Sequence, residues 1–238
     1  MSNHQIVNNT QHRDLRVRAD HGVELGDGVM ACLTVPYEFR RVQAEFPIVF
    51  RRDLESGTFS ALALFGFEEG ENLFLEGDHW DATYKPLALS IQPFLVGHGP
   101  GPGAQVHVDL DHPRVTRAGN DGILLFGADG QPSPYVEAVA EQLGDLDQGY
   151  RAAGAFFATL ESHALLEPFA LEVPLADGSR HSLVGFHTID EARLQSLGGE
   201  ALDELHRAGH LMPLFMALAS LSNFSELVAR RNRKTGHG

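Results

Sequence analysis

Near Tyr135 the spacing of apolar residues changes, and that change limits the folds open to this chain. Up to that point apolar residues fall in short runs separated by Gly, Pro, Asn and Asp. Beyond it Val136, Val139, Leu143 and Leu146 recur on one helical face, and Tyr150, Phe156, Phe157, Leu160 and Leu165 extend the pattern. The first half therefore predicts strands over residues 48–50, 58–65, 91–96, 105–110 and 123–126. Residues 59–65 are apolar at nearly every position, as in a strand covered on both faces. The second half predicts helices, together with one hairpin, residues 169–173 and 182–186 around Asp177-Gly178.

Local signals sharpen this reading. Thr34 is placed to cap a short helix with Pro36 in its first turn and Phe39, Val42 and Phe46 as its apolar stripe, ended by Pro47. Thr188-Ile189-Asp190-Glu191 has the spacing of a capping box with Thr188 as the cap, opening a helix to Leu197. A further helix over residues 200–208 stops at Gly209. The last, about 213–231, ends in Arg230, Arg231, Arg233 and Lys234, which suit the negative end of a helix dipole. The order of elements predicts the α+β class: a mainly antiparallel sheet from the first half, packed by helices of the second, with a C-terminal helical segment. The expected layout is a disordered polar tail over 1–18, a single domain over 19–232 and a disordered tail over 233–238.

The chain has 238 residues, with 32 acidic and 18 basic side chains and a formal net charge of −14. That balance repels nucleic acid and anionic membranes at long range, so neither is an expected partner. Cys32 is the only cysteine, which excludes an intramolecular disulfide and a cysteine-rich zinc site. The first twenty residues lack the apolar core of a signal peptide. No run approaches the ~20 apolar residues of a membrane span, the longest, residues 211–221, being interrupted by Pro213 and Ser220. The expectation is a soluble, cytoplasmic protein.

Catalytic signals are sparse, and an enzyme is not the first reading. His107-Val108-Asp109, with a distant histidine such as His187, His163 or His181, has the composition of a two-histidine, one-carboxylate iron site, the basis of an alternative reading as a non-haem metal-dependent oxygenase. Thirteen histidines make such a pair common by chance, and no cofactor is expected. There is no Gly-x-Ser-x-Gly elbow. Cys32 has no adjacent base and reads as a packing residue. Glu68-Glu69-Gly70-Glu71 reads as a solvated turn. The Gly/Pro alternation over residues 97–103 loses two N–H donors to proline and leads into a strand, so it reads as a hairpin connection and not as a phosphate loop. Asn72, Trp80, Tyr84, Pro86 and Phe94 gather rigid rings and prolines in one segment, a surface for a protein or peptide partner; the competing reading places these rings in the core. Leu214, Phe215, Leu218 and Leu221 form either an internal packing face or the face of a homodimer.

Several motifs follow one another along the chain: Val35-Pro36-Tyr37-Glu38-Phe39 and Phe46-Pro47-Ile48-Val49-Phe50, then Gly66, Glu71-Asn72-Leu73-Phe74, and Trp80-x-x-x-Tyr84-x-Pro86 leading to Pro93-Phe94. Leu183-Val184-Gly185-Phe186, Ile189-Asp190, Leu194, Leu197, Leu205-x-x-x-Gly209-x-Leu211 and Ser220-Leu221-x-Asn223 complete the series. In their order and spacing these motifs resemble the bacterial SapC-like family, a likeness that spans residues 20 to 232. The family name refers to paracrystalline surface layers. Its genes often neighbour those of TonB-dependent receptors, flavin-dependent tryptophan halogenases and cupin-like oxygenases. The resemblance implies an accessory role in uptake, or in modification of a peptide or small molecule, and supplies no catalytic residues.

Overall fold

The apolar run expected to be covered on both faces forms the strand Phe59–Leu64, and in the computed structural model it lies inside a five-stranded antiparallel sheet. The structure describes residues 3–98, 104–117, 119–174 and 180–235. In chain order the strands are β1 (His4–Ile6), β2 (Arg16–Val17), β3 (Ala31–Thr34), β4 (Ile48–Arg52), β5 (Phe59–Leu64), β6 (Leu75–Glu76), β7 (His79–Trp80), β8 (Phe94–His98), β9 (Ala104–Asp109), β10 (Val115–Thr116), β11 (Ile123–Leu124), β12 (Leu166–Pro174) and β13 (Arg180–Ile189). The helices are α1 (Phe39–Val42), α2 (Leu87–Ser90), α3 (Pro134–Ser162), α4 (Glu191–Gln195), α5 (Gly199–Arg207), α6 (Leu211–Ser220) and α7 (Phe224–Thr235). The strand pairings are antiparallel and the class is α+β.

The chain falls into two compact units, neither continuous in sequence: residues 1–28, 75–81 and 87–148, and residues 29–74, 82–86 and 149–238.

In the first unit β1, β9 and β8 form one sheet, β10, β2 and β11 another, and β6 pairs with β7. The expected disorder of residues 1–18 is corrected here. His4, Gln5 and Ile6 pair with Asp109, Val108 and His107, while His12, Leu15 and Val17 are buried. A polar segment is held by main-chain pairing, which side-chain composition does not reveal. A buried ion pair fastens the 18–28 segment: Arg114 donates to Asp27 at 2.7 Å and to the carbonyls of Arg18 and Asp20. Asp27 in turn accepts from the Gly22 N–H at 3.1 Å. His107 lies directly over Gly97 on the facing strand, where an added Cβ would sit 2.0 Å from the imidazole. Of the Gly/Pro segment only Gly97 and His98 are described, and residues 99–103 lie outside the described residues.

The second unit holds the sheet β12-β13-β4-β5-β3. Ile48, Val49 and Phe50 of β4 and Ala61 to Leu64 of β5 are buried without alternation, because both faces of these strands are covered. Phe46, Phe65 and Phe74 pack edge-on at 4.7–6.3 Å between ring centroids. Phe39, Phe156, Phe157 and Phe50 form a second edge-on chain. The expected hairpin of residues 169–186 is the longer β12–β13 pair, and its turn at Asp177-Gly178 lies outside the described residues. Its register shifts after Phe169, and Gly185 opposite takes a φ of 82°, a bulge that favours glycine.

Two caps differ from expectation. Thr34 ends β3, and its hydroxyl donates to Glu38 Oε2 at 2.8 Å instead of capping α1. Asp190, not Thr188, caps α4, accepting from the Arg193 N–H at 2.8 Å, while Thr188 is still in β13. Residues 233–235, expected in a tail, lie in α7, which runs to Thr235; residues 236–238 lie outside the described residues.

Candidate functional site

The second unit brings two of the sequence motifs together on one buried carboxylate. Glu38 is 2% exposed. It accepts from the Tyr84 hydroxyl at 2.6 Å and from the Thr34 hydroxyl at 2.8 Å. The Tyr84 ring lies under the Arg41 guanidinium at 5.5 Å, and both oxygens of Glu45 accept from the main chain, at Thr83 and Tyr84. Burial, and then the Glu38 carboxylate, push the Cys32 thiol well up, with the Lys85 charge working against them. Burial, followed by the hydrogen bond to Glu38, raises the Tyr84 phenol; burial, followed by Cys32 and Glu38, raises Tyr150. A thiol and two phenols held protonated around a carboxylate are hydrogen-bond donors, the opposite of an activated nucleophile.

A second cluster joins the 66–74 loop to α7. Arg231 pairs with Glu71 and reaches Glu68 at 3.5 Å. Arg230 lies 4.3 Å over the Phe74 ring, and Lys234 Nζ donates to the Asn72 carbonyl at 2.9 Å. Glu71 also accepts from the Phe67 N–H at 2.8 Å, and His181 sits 3.0 Å from Glu68. The acidic run read as a solvated turn is thus the docking point of the chain's own cationic helix end. Only Glu69 and Gly70 stand away from these pairs in the exposed part of the loop.

The residues expected to meet a partner are mostly enclosed. Asn72 is buried, its Oδ1 accepting from the Phe74 N–H at 2.9 Å, and Pro86 is buried. Tyr84 is half-buried on Glu38. These three belong to the second unit. In the first unit Trp80 is 8% exposed, paired with Leu75 across a two-residue hairpin, with the His21 ring 6.3 Å away. Phe94 there is buried edge-on to Tyr135.

The residues named for the alternative iron site are divided between the two units. His107 and Asp109 lie in the first unit and His187 in the second. His107 Nε2 is buried over Gly97, without a hydrogen-bond partner among the described residues. Asp109 accepts from the N–H groups of Asn3 and Asp111. His187 packs edge-on to Phe59 at 5.0 Å. Among the described residues no three His, Cys, Asp or Glu side chains are grouped to hold a metal ion.

The face that sequence reasoning left between internal packing and a homodimer contact lies on α6, and its grooves were what that reasoning missed. Leu214, Ala217 and Ser220 turn inward, while Met212 is 56% and Phe215 51% exposed. Apolar grooves run along both flanks. One, about 530 Å³, is lined by Leu194, Leu197, Leu202, Phe215 and Leu218; the other, about 340 Å³, by Tyr37, Met212, Pro213 and Met216 among others. A helix apolar all round but lying at a surface must leave one face uncovered, and Leu211-Met212-Pro213-Leu214-Phe215-Met216 carried that signal. Of the residues read as one face, Leu214 is fully buried and Phe215 is half-exposed. The helical run Leu211–Lys234 is also long and apolar enough, by length and composition, to cross a membrane, which the sequence reading had not found. It is broken by a 3₁₀ turn at Leu221–Asn223.

The chain belongs to the SapC family, whose model matches residues 7–227. No curated protein sequence and no solved structure matches it. Of the motifs that carry the resemblance, Glu38 and Tyr84 meet, Glu71 to Phe74 receive α7, and Ser220 and Asn223 bond Ile48 and Gln43.

Proposed function

We propose that this SapC-family chain is a soluble, cytoplasmic accessory protein that binds a protein or peptide partner on the exposed face of α6. The setting implied by its SapC-like motifs is TonB-dependent uptake, or modification of a peptide or small molecule. The observation that carries the reading is the half-exposed pair Met212 and Phe215 between two apolar grooves. Exposed apolar side chains that border concave apolar surface are the usual mark of an interaction site, whereas scattered ones are not. Leu54, at 96% exposure in the turn between β4 and β5, is such a scattered residue and serves as the control.

A photo-crosslinking amino acid placed at Phe215, and separately at Leu54, tests this in the native cells. A discrete protein or peptide adduct at position 215 and none at position 54 is the expected result. The same adducts at both positions, or none at 215, would remove the reading.

A further inference from the structure

Resting on that reading, we propose that the occupant of the groove between α4, α5 and α6 is an amphipathic helix with an apolar face flanked by Lys or Arg. The backbone decides its conformation. This groove is built from three helices and their connections, with no sheet strand in its lining, and Glu191 and Gln195 are its only polar side chains. An extended peptide laid there would desolvate its N–H and C=O groups with almost nothing to receive them. A helix satisfies its own backbone and needs only apolar side chains at i, i+3 or i+4, and i+7 to fill the groove. At about 530 Å³ the groove has room for apolar side chains entering from one side.

The segment that supplies Glu191 to the groove decides the charge. Residues 190–209 carry five carboxylates (Asp190, Glu191, Glu200, Asp203 and Glu204) against two guanidiniums, Arg193 and Arg207, with Asp203 paired to Arg207 and Glu204 to His163. Both cations are engaged: Arg193 donates to the His163 carbonyl at 3.0 Å, and Arg207 pairs with Asp203 at 2.8 Å. Glu191, in the groove wall, and Glu200, at the start of α5, have no ion-pair partner among the described residues. The net charge of −14 adds attraction at longer range for a cationic segment. A second copy of the chain would bring the same acidic segment against itself, and an anionic membrane would be repelled.

The test uses the full chain and a fluorescent 18-residue Leu/Lys peptide of helical period, with three comparison peptides. One replaces Lys by Glu, one alternates Leu and Lys with period two, and one scrambles the order. Anisotropy should show saturable binding of the helical Leu/Lys peptide and at least tenfold weaker binding of the others. Phe215→Ser and Glu191→Lys should each weaken it at least tenfold, whereas Glu55→Lys, in the exposed β4–β5 turn, should change it less than twofold. Equal loss with Glu55→Lys and Glu191→Lys would reduce the attraction to overall charge and overturn the inference. So would equal binding of the Glu or period-two peptide. Concentration-dependent dimers, or binding to phosphatidylglycerol vesicles, either one abolished by Phe215→Ser, would assign the face to a second copy or a membrane and overturn it as well. A crosslinked partner at position 215 together with no Leu/Lys binding would overturn this inference alone and leave the partner-binding reading standing.

Discussion

The hydroxyl of Ser220 accepts a hydrogen bond from the backbone N–H of Ile48 at 2.8 Å, joining the end of α6 to the first residue of β4 across 172 positions of sequence. It donates in turn to the Ala217 carbonyl, and Asn223 donates to the Gln43 carbonyl three residues further along. The side chain supplies the partner that the strand's first N–H would otherwise lack.

Ser220→Ala is therefore expected to cost about 1–3 kcal/mol, the penalty for a buried donor left unmade. Chemical denaturation with an unchanged m-value checks it. A change under about 0.5 kcal/mol, the scale of an exposed substitution, would show that Ile48 finds another partner.

The 66–74 loop gives a paired comparison. Glu71→Ala removes the partner of Arg231 and the acceptor of the Phe67 N–H, and should cost about 1–3 kcal/mol. Glu69→Ala, two positions away on the exposed side of the same loop, should stay within about 0.5 kcal/mol. Thermal melts of the two variants at low and high salt measure the difference, and the Glu71 effect should persist at high salt because the pair is largely shielded from solvent.

Cys32 should react sluggishly with thiol reagents at pH 7–8, because burial and the Glu38 charge disfavour its thiolate. Tyr84→Phe removes one of the hydroxyl donors to Glu38, and a loss of about 1.5–3 kcal/mol is expected from a hydrogen bond to a charged acceptor. Glu38→Gln should speed the thiol reaction, since the negative charge beside the thiol is gone. Chemical denaturation reads the Tyr84→Phe loss, and disulfide-exchange colorimetry reads the thiol rates of the parent chain and of Glu38→Gln.

Acid should destabilise the first unit. Burial lowers the folded-state pKa of His12 and of His112 below 6.5, with the Arg117 and Arg114 charges acting in the same direction. A proton is then taken up by the unfolded chain before the folded one. The stability these neutral imidazoles contribute is full above the unfolded pKa of about 6.5 and is lost as pH falls through the lower folded values. Melting temperature should thus decline from pH 7 to pH 5, and His12→Gln should flatten the slope even if it lowers the plateau. A slope equal to that of the parent chain would show that His12 does not contribute.

The sequence made the α+β class legible because it depends on apolar period, and the period over residues 59–65 and 136–160 was unambiguous. It concealed β1, where polar residues are held by main-chain pairing. It also concealed the cap of α4, since Thr188 and Asp190 offer the same chemistry two positions apart and only the length of β13 decides between them. Glu38, Ser220 and Asn223 stood in the motifs, but their partners Tyr84, Ile48 and Gln43 are non-local, and no spacing rule reaches that far. The face of α6 was visible only as an excess of apolar residues, without the direction each would take.

The five-stranded sheet also has a kinetic side. β3, β4 and β5 come from the first third of the chain, β12 and β13 from the last, and the two sets meet where His187 pairs with Phe50. Closing so long an intervening loop costs entropy before the ladder returns any energy, so this seam forms late in refolding. Until then β4 carries Ile48, Val49 and Phe50 along an open edge, the type of surface that recruits a neighbouring chain. Yield on refolding is therefore expected to fall as protein concentration rises, even for variants of unchanged native stability.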